Sequence, residues 1–316
     1  MASLTQFRYA VAVAERRHFG RAAKDCFVSQ PTLSTQLSKL EEELGVVLFD
    51  RSRKPVSVTD AGSVLIDQFR AVLQEVDRIE EITHELQGVI AGRYRLGVIP
   101  TIAPHALPRI LPRFSRAYPE VELIVSERTT DEIIAGLMDE SLDGGLLASP
   151  LDEAGIVEFP IGREDFVAFH APNVVLPMDG EGRVVLGDVP TEQLLLMQEG
   201  HCLRTQVVDL CSLPVVQNFT IAAGSLGTLV NMVRAGDYFT VLPAMAASEL
   251  SELGFGDCIK PIAGAVPFRE LAIAVRRRQA RRAIREALVQ VATEALAPAL
   301  QNEDGRQRQA SAVRPR

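Results

Sequence analysis

The sequence predicts a small N-terminal module of helices with a β-ribbon, one long connecting helix, and a larger two-lobed α/β body. Three observations predict this arrangement. Helical periods and then a basic ribbon occupy residues 1–59, a single helical period runs over residues 60–88, and strand-like and helix-like segments alternate over residues 94–300. A chain of 316 residues is also too long for one compact core.

The N-terminal module is predicted to contain two helices joined by a sharp turn. Apolar residues at helical spacing define the first helix: Leu4, Phe7, Val11 and Ala14. Ser29 is a suitable N-cap for the second helix, Pro31 is tolerated in its first turn, and Gly45 is expected to end it just after Glu43. This spacing is typical of the helix–turn–helix modules that bind DNA.

The second helix and the ribbon that follows it carry side chains suited to DNA. Short polar residues in the first turns can reach base edges and phosphates in a major groove, and basic residues lie further along the helix and in the ribbon of residues 49–59. The predicted DNA contacts are Ser29, Gln30, Pro31, Thr32, Ser34, Thr35, Lys39, Arg51 and Arg53. Residues 1–59 carry nine Lys and Arg against six Asp and Glu, whereas residues 60–275 carry fourteen against thirty-one. A basic head on an acidic body suits a nucleic-acid-binding domain joined to a part that must not bind nucleic acid.

Residues 60–88 are predicted to form one helix with a narrow apolar seam. The seam residues recur at steps of three and four, with one longer gap near the end: Leu65, Phe69, Val72, Val76, Ile79 and Leu86. Such a seam favours a two-stranded coiled coil with a second copy, which would place two DNA-binding modules on two half-sites. A helix that packs only on its own module is the alternative.

Residues 94–300 are predicted to form two α/β lobes around a parallel sheet, after a short hinge at residues 89–93. Lobe I takes residues 94–163 and 269–300, and lobe II takes residues 164–268. The predicted strands lie at 94–99, 121–128, 145–148, 166–169, 238–242 and 271–275, and the predicted helices at 104–118, 131–142, 225–234 and beyond 279. In such folds a ligand binds between the lobes, at strand carboxyl ends and helix N-termini.

Two of the four cysteines, Cys202 and Cys211, lie nine residues apart, and His201 precedes the first. If this segment is one helix, the rise per residue holds the two Cα atoms ~13 Å apart, whereas a disulfide requires them within about 7 Å. The pair could bond only if the segment unwound, which would make the bond a switch. The alternative is a pair of buried thiols that never meet, since free cysteine is often buried. Cys26 and Cys258 are interpreted as structural, Cys258 within a strand.

These motifs carry a resemblance to a known family. Residues 1–59 resemble the winged helix–turn–helix of LysR-type transcriptional regulators, most closely in the block from Phe19 to Leu37. The α/β body resembles the periplasmic-binding-protein-like effector domain of the same family. Three stretches further resemble the peroxide-sensing OxyR subfamily: GVIPT at 97–101, ERTT at 127–130, and GHCLR at 200–204 followed by Cys211.

The resemblance implies that Cys202 is the peroxidatic thiol and Cys211 the resolving thiol. Peroxide would oxidise Cys202 to a sulfenic acid, which condenses with Cys211 to a reversible disulfide. Such a sensor needs a lowered pKa at Cys202, and the resemblance implies that Thr101, Thr130 and His201 hold the peroxide. The implied partners are promoter DNA, further copies of the chain in a dimer of dimers, RNA polymerase, and thioredoxin or glutaredoxin as reductant. No cofactor and no metal are expected.

One position departs from the subfamily pattern. Relatives commonly carry an acidic residue where this chain has Thr205, so a role of that residue in proton transfer or in tuning the thiol does not carry over. A cytoplasmic protein is expected, because no segment is apolar enough to cross a membrane and the N-terminus lacks the order of a signal peptide. Residues 301–316 have no apolar period and are predicted to be disordered.

Three other functions each fit part of the sequence. A LysR-type regulator of a small organic effector would leave the cysteines incidental. A thiol peroxidase could use the same two cysteines, but an enzyme has no need of a DNA-binding head, so a regulator rather than an enzyme is favoured. A metal site built from His201, Cys202 and Cys211 would supply only three ligands, two of them adjacent.

Overall fold

The structure is a computed structural model that describes residues 2–211, 222–277 and 281–300. The chain divides into two compact units, Met1–Gly88 and Val89–Arg316. The tail predicted at residues 301–316 lies outside the described residues. Among the residues that are described, no helix combines the length and the apolar character needed to span a membrane.

The first unit is built from helices and one antiparallel ribbon. In chain order these are α1 (Leu4–Arg16), α2 (Phe19–Asp25), α3 (Gln30–Leu44), β1 (Phe49–Asp50), β2 (Ser57–Val58) and α4 (Asp60–Leu86). The Ser29 hydroxyl caps α3 by accepting a hydrogen bond from the amide of Thr32 at 3.2 Å, and Gly45 ends α3 at a φ of 67°. Both predicted boundaries of this helix are confirmed, and each has a local cause in cap chemistry.

The core of the first unit includes the beginning of α4. Ile66 and Phe69 are buried with residues of α1, α2 and α3, and the rings of Phe7 and Phe69 stack with their centroids 4.3 Å apart. Part of the predicted apolar seam therefore packs against its own module, as in the alternative to a coiled coil. Further along α4, Ile79 leaves 65% of its surface exposed. Pairing of that part of the helix with a second copy stays a prediction.

The second unit contains a seven-stranded sheet with helices on it. Its first half comprises β3 (Gly92–Val98), α5 (Ala103–Ala117), β4 (Val121–Glu127), α6 (Thr130–Met138), β5 (Gly144–Ser149) and β6 (Ile156–His170). Its second half comprises β7 (Leu196–Met197), α7 (Cys202–Leu210), β8 (Ala222–Ala223), α8 (Leu226–Ala235), β9 (Phe239–Pro243), α9 (Ala244–Leu250), β10 (Ile259–Lys260), β11 (Phe268–Arg276) and α10 (Arg282–Leu296).

The large sheet is mixed, so the prediction of a parallel sheet is wrong. The strand order is β10–β6–β11–β5–β3–β4, with β9 also paired to β6. β3 runs parallel to β4 and β5, but β11 is antiparallel to both β5 and β6. No helix separates β5 from β6, and β11 returns between them from the far end of the chain. Parallel pairing requires crossover connections, which this half of the sheet lacks.

The second unit has two hydrophobic cores that the long strand β6 connects. One core surrounds β3, α5, β5 and α10, and the other surrounds β9, α8 and part of α9. The predicted lobe boundary between residues 163 and 164 falls inside β6, because this strand continues from one core into the other. The predicted hinge at residues 89–93 is too long, since Gly92 and Arg93 already pair with β4. Cys258 ends a short 3₁₀ turn immediately before β10 rather than lying in a strand.

Candidate functional site

Helix α7 carries the two central cysteines at its two ends. Cys202 is the first residue of the helix and Cys211 is its C-cap, with the Cys211 amide donating to the Val207 carbonyl at 3.0 Å. The segment is thus one continuous helix, as the geometric argument assumed. All four cysteines are free thiols in this structure. A rise of about 1.5 Å per residue keeps Cys202 and Cys211 too far apart to bond while α7 is intact.

The two cysteines belong to different hydrophobic cores. Cys202 lies in the core around β3, α5 and β11, whereas Cys211 lies in the core around β9 and α8. Both side chains are buried. A bond between them therefore requires at least one sulfur to leave its core, in addition to unwinding the helix.

A buried charged network lies beside Cys202. The Arg269 side chain is fully buried and forms an ion pair with the equally buried Glu164 at 2.8 Å. Arg269 also donates to the hydroxyl of Thr101 at 2.9 Å and to the Thr101 carbonyl at 3.2 Å. Glu164 in turn accepts from the amide of Met245 at 3.0 Å. These contacts satisfy a buried charge pair that would otherwise be strongly unfavourable.

The pKa of Cys202 responds to opposing influences. Burial raises it, and this influence is the largest; the positive charge of Arg269, the hydroxyl of Thr130 and the backbone amides of Cys202 and Leu203 lower it. The net direction is upward, so the expectation of a lowered pKa is wrong for this reduced, closed form. The cause is that the sulfur is removed from water, which disfavours the thiolate more than its neighbours stabilise it.

The residues predicted to hold the peroxide are each placed by a different element, and one of them, Thr130, hydrogen-bonds the Cys202 sulfur. Thr101 follows β3 and is held by Arg269, and Thr130 is the first residue of α6, where the capping box of Thr129 and Glu132 fixes the helix start. His201 is the N-cap residue of α7, but its ring makes no capping hydrogen bond. Burial lowers the pKa of His201, which keeps its ring neutral near neutral pH.

Sequence reasoning missed Arg269 and Glu164, which organise this site. They are directly opposite each other in the antiparallel pairing of β11 and β6, although 105 residues separate them along the chain. Both residues stand in short charged runs, at 163–165 and 269–270, so the sequence did not indicate that they are buried partners. Among the described residues, no cluster of three or more His, Cys, Asp or Glu could hold a metal ion.

The predicted DNA-binding residues lie mainly on the exposed surface of the first unit. Those exposed on α3 are Gln30, Pro31, Thr32, Thr35 and Lys39, with the cap residue Ser29 exposed before them. Ser34 is half-buried. Arg51 is occupied within the module, because its guanidinium pairs with Glu41 at 2.6 Å and lies 5.1 Å from the ring centroid of Phe19. Arg53 is largely exposed beside Asp50.

Two family models match this chain and together cover most of it. Residues 4–63 match the bacterial regulatory helix-turn-helix of the lysR family, and residues 87–297 match the LysR substrate binding domain. The chain belongs to the LysR family. Its winged helix–turn–helix and its two-lobed α/β regulatory domain are the two parts that the sequence predicted.

Relatives within this family are OxyR-type regulators. The hydrogen peroxide-inducible genes activator of Dickeya chrysanthemi is 37% identical over 276 residues, which are 87% of this chain and 89% of the relative. The DNA-binding transcriptional dual regulator OxyR of Escherichia coli K12 is 38% identical over 264 residues, 82% of this chain and 86% of the relative. The chain therefore resembles OxyR-type regulators, among them an activator named for genes that hydrogen peroxide induces.

Solved structures show the same likeness. A full-length OxyR variant from Pseudomonas aeruginosa matches with a TM-score of 0.73 and 32% identity, covering 93% of this chain and 98% of that one. An OxyR cysteine-to-serine variant from Corynebacterium glutamicum, with hydrogen peroxide bound, matches with a TM-score of 0.60 and 30% identity, covering 95% and 94%.

Proposed function

We propose that this LysR-family protein is a transcriptional regulator that senses hydrogen peroxide through Cys202 and a reversible disulfide between Cys202 and Cys211. The observation that carries the proposal is the position of the Cys202 sulfur, at a helix N-terminus beside the charge of Arg269 and the hydroxyl of Thr130. These groups stabilise a thiolate once the proton leaves, and the thiolate is the form that attacks peroxide. The kinship with peroxide-responsive activators supports the same assignment.

The chemistry balances with the groups at hand. The Cys202 thiolate attacks one oxygen of hydrogen peroxide, the O–O bond breaks, and hydroxide leaves, which takes up a proton to become water. The resulting sulfenic acid is attacked by the thiol of Cys211, water leaves, and a disulfide forms. A dithiol reductant of the thioredoxin or glutaredoxin type returns both residues to thiols. In this scheme Thr101, Thr130 and His201 hold the peroxide beside the sulfur.

Formation of the disulfide would reorganise the regulatory domain. Helix α7 must unwind and at least one cysteine must leave its core, so the oxidised form cannot keep the packing of the reduced form. We propose that this rearrangement repositions subunits within a dimer of dimers in the cytoplasm, moves the winged helix–turn–helix heads on promoter DNA, and alters contact with RNA polymerase. Two packings of one domain, selected by a covalent bond, are a known form of switch.

Mapping of thiol oxidation tests the proposal. Fully reduced protein receives a brief, equimolar dose of hydrogen peroxide, and its cysteines are then alkylated and analysed by peptide mass spectrometry. The expected result is a disulfide between Cys202 and Cys211, with Cys26 and Cys258 still reduced. Four unreacted thiols would contradict the proposal and favour a regulator of a small organic effector. Many turnovers with a reductant, without any change in DNA binding, would instead indicate a thiol peroxidase.

A further inference from the structure

One aromatic side chain on the first unit is almost fully exposed to solvent. Phe27 lies in the turn between α2 and α3, and 95% of its surface is accessible. Its neighbours Cys26 and Val28 both pack against the core of the module, so the turn itself is anchored. An apolar side chain contributes to folding only where its surface is removed from water, so the exposed ring of Phe27 contributes little to the stability of the module.

The backbone at Phe27 is also unfavourable for this residue type. Its φ is 55°, in the left-handed region that favours glycine and asparagine. Backbone hydrogen bonds fix this conformation, from the Phe27 amide to the Lys24 carbonyl at 3.1 Å and from the Val28 amide to the Ala23 carbonyl at 3.0 Å. Helix–turn–helix units often place glycine in this turn. The fold of the module therefore gains nothing from a phenylalanine here.

The position of Phe27 points to DNA as the molecule that covers it. Three peptide links separate it from Gln30, the first residue of α3, so their Cα atoms lie within about 11 Å of each other. The exposed basic residues Arg21 and Lys24 lie on α2, just before Phe27 in the chain. Phe27 is therefore an exposed apolar residue close to the polar first turn of α3, and phenylalanine is among the residues that contact thymine methyl groups.

We propose that Phe27 makes an apolar contact with the DNA beside the site read by α3, against a thymine methyl group or a deoxyribose. This inference rests on the proposed DNA-binding role of α3. It predicts an affinity contribution that is not electrostatic, because the side chain carries no charge to neutralise a phosphate. It also explains why the turn keeps an aromatic residue where asparagine or glycine would suit the backbone better.

The test compares Phe27→Asn with Phe27→Ala in the full-length protein. The probe is a duplex carrying the sequence that the wild-type protein selects from a random pool. Both variants are expected to weaken binding about tenfold, the effect of losing one buried aromatic contact. Only Phe27→Asn is expected to raise the Tm of the DNA-binding module, by a few degrees, because asparagine accepts the left-handed conformation. Affinity and stability would then change in opposite directions, which a folding defect cannot produce.

Two control variants separate the possible failures. Lys39→Ala should lower the slope of log Kd against log salt by about one, whereas the Phe27 variants should leave it unchanged. If Gln30→Ala weakens binding and the Phe27 variants do not, the inference about Phe27 is overturned while the proposed function stands. If the wild-type protein selects no sequence, the proposed function itself fails.

The DNA probe can also identify the contacted group. Uracil is substituted for each thymine in turn, which removes one methyl group at a time. If one uracil substitution weakens binding of the wild-type protein but not of Phe27→Asn, the contact is with that methyl group. If no substitution does so, although Phe27→Asn binds the duplex more weakly than the wild type, the contact is with a deoxyribose. Unchanged DNA affinity with lowered transcript yield in a purified system would overturn the inference and indicate a contact with RNA polymerase.

Discussion

Cys202 and Cys211 lie at the two ends of one helix, yet their surroundings differ. Around Cys202, burial is opposed by the charge of Arg269, by the hydroxyl of Thr130 and by backbone amides. Around Cys211, burial raises the pKa to about 11, and no residue in the described part of the chain is found to lower it. The comparison teaches that burial does not decide reactivity by itself. In the proposed function Cys202 is the reactive thiol because groups that stabilise its thiolate are already in place.

The largest expected effect comes from exchanging the two cysteines for serine one at a time. Cys202→Ser should abolish reaction with an equimolar dose of peroxide, because the charge of Arg269 and the hydroxyl of Thr130 stabilise a thiolate at Cys202. Cys211→Ser should leave the first step intact and stop the reaction at a sulfenic acid on Cys202. A 1,3-diketone probe, which labels sulfenic acids, followed by mass spectrometry distinguishes the two variants. Equal labelling of both variants would show that the two environments do not matter.

The second effect is expected at Arg269. Arg269→Met should destabilise the protein by about 3–5 kcal/mol, because it leaves the Glu164 carboxylate buried and unpaired. Urea denaturation followed by circular dichroism measures this change. The matched control is the double variant Glu164→Gln with Arg269→Met, which removes both charges and should recover most of the stability. Its reaction with peroxide should remain slower than that of the wild type, and a wild-type rate would show that the Arg269 charge does not act on Cys202.

Features that depend on interactions between neighbouring residues could be predicted from the sequence, whereas features that depend on distant residues could not. The limits of α3 follow from Ser29 and Gly45, so they were predictable, whereas a continuous helix between Cys202 and Cys211 was considered only as a condition. Arg269 meets Thr101 across 168 residues, and this contact depends on the register of a mixed sheet that no local pattern specifies. The network beside Cys202 was therefore invisible until the fold was known.

The direction of the Cys202 pKa was missed for a related reason. Attack on peroxide requires a thiolate, so a lowered pKa was predicted for Cys202. The burial of this side chain depends on how whole elements pack, which the motif does not specify. Burial raises the pKa of Cys202 in the reduced form, although Arg269 and the hydroxyl of Thr130 act in the opposite direction. The LysR family and the OxyR likeness could be inferred from short motifs, because those motifs are contiguous in sequence.

The third prediction follows from this raised pKa. Below a raised pKa only a small fraction of Cys202 is ionised, and that fraction grows about tenfold for each pH unit. The second-order rate constant for oxidation should therefore rise steadily with pH through the neutral range. Stopped-flow measurement of peroxide consumption between acidic and mildly alkaline pH checks this slope. A rate constant that is independent of pH would mean that Cys202 is already a thiolate in the reduced protein.

The fourth prediction concerns the hydroxyl of Thr130. Thr130→Val keeps the shape of the side chain at the start of α6 but removes the hydrogen bond to the sulfur. A hydrogen bond to a charged group contributes about 1.5 kcal/mol, so oxidation should slow roughly tenfold. Thr129→Val is not a suitable control because Thr129 caps α6. Thr5→Val in α1 of the other unit controls for the substitution itself and should leave the rate unchanged.

The smallest effect is expected at Thr205, which is half-buried on α7 three residues after Cys202. Residues at this spacing are neighbours on a helix surface, so a carboxylate at position 205 would oppose a forming thiolate. Thr205→Asp should therefore slow oxidation, by about 0.5 kcal/mol or roughly twofold, because partial exposure screens the charge. Thr205→Asn is the neutral control of matched size. A faster reaction in Thr205→Asp alone would contradict this electrostatic expectation. It would show that a carboxylate at position 205 acts as a base that removes the proton from the buried Cys202 thiol. Arg269 and Thr130 would then stabilise the resulting thiolate.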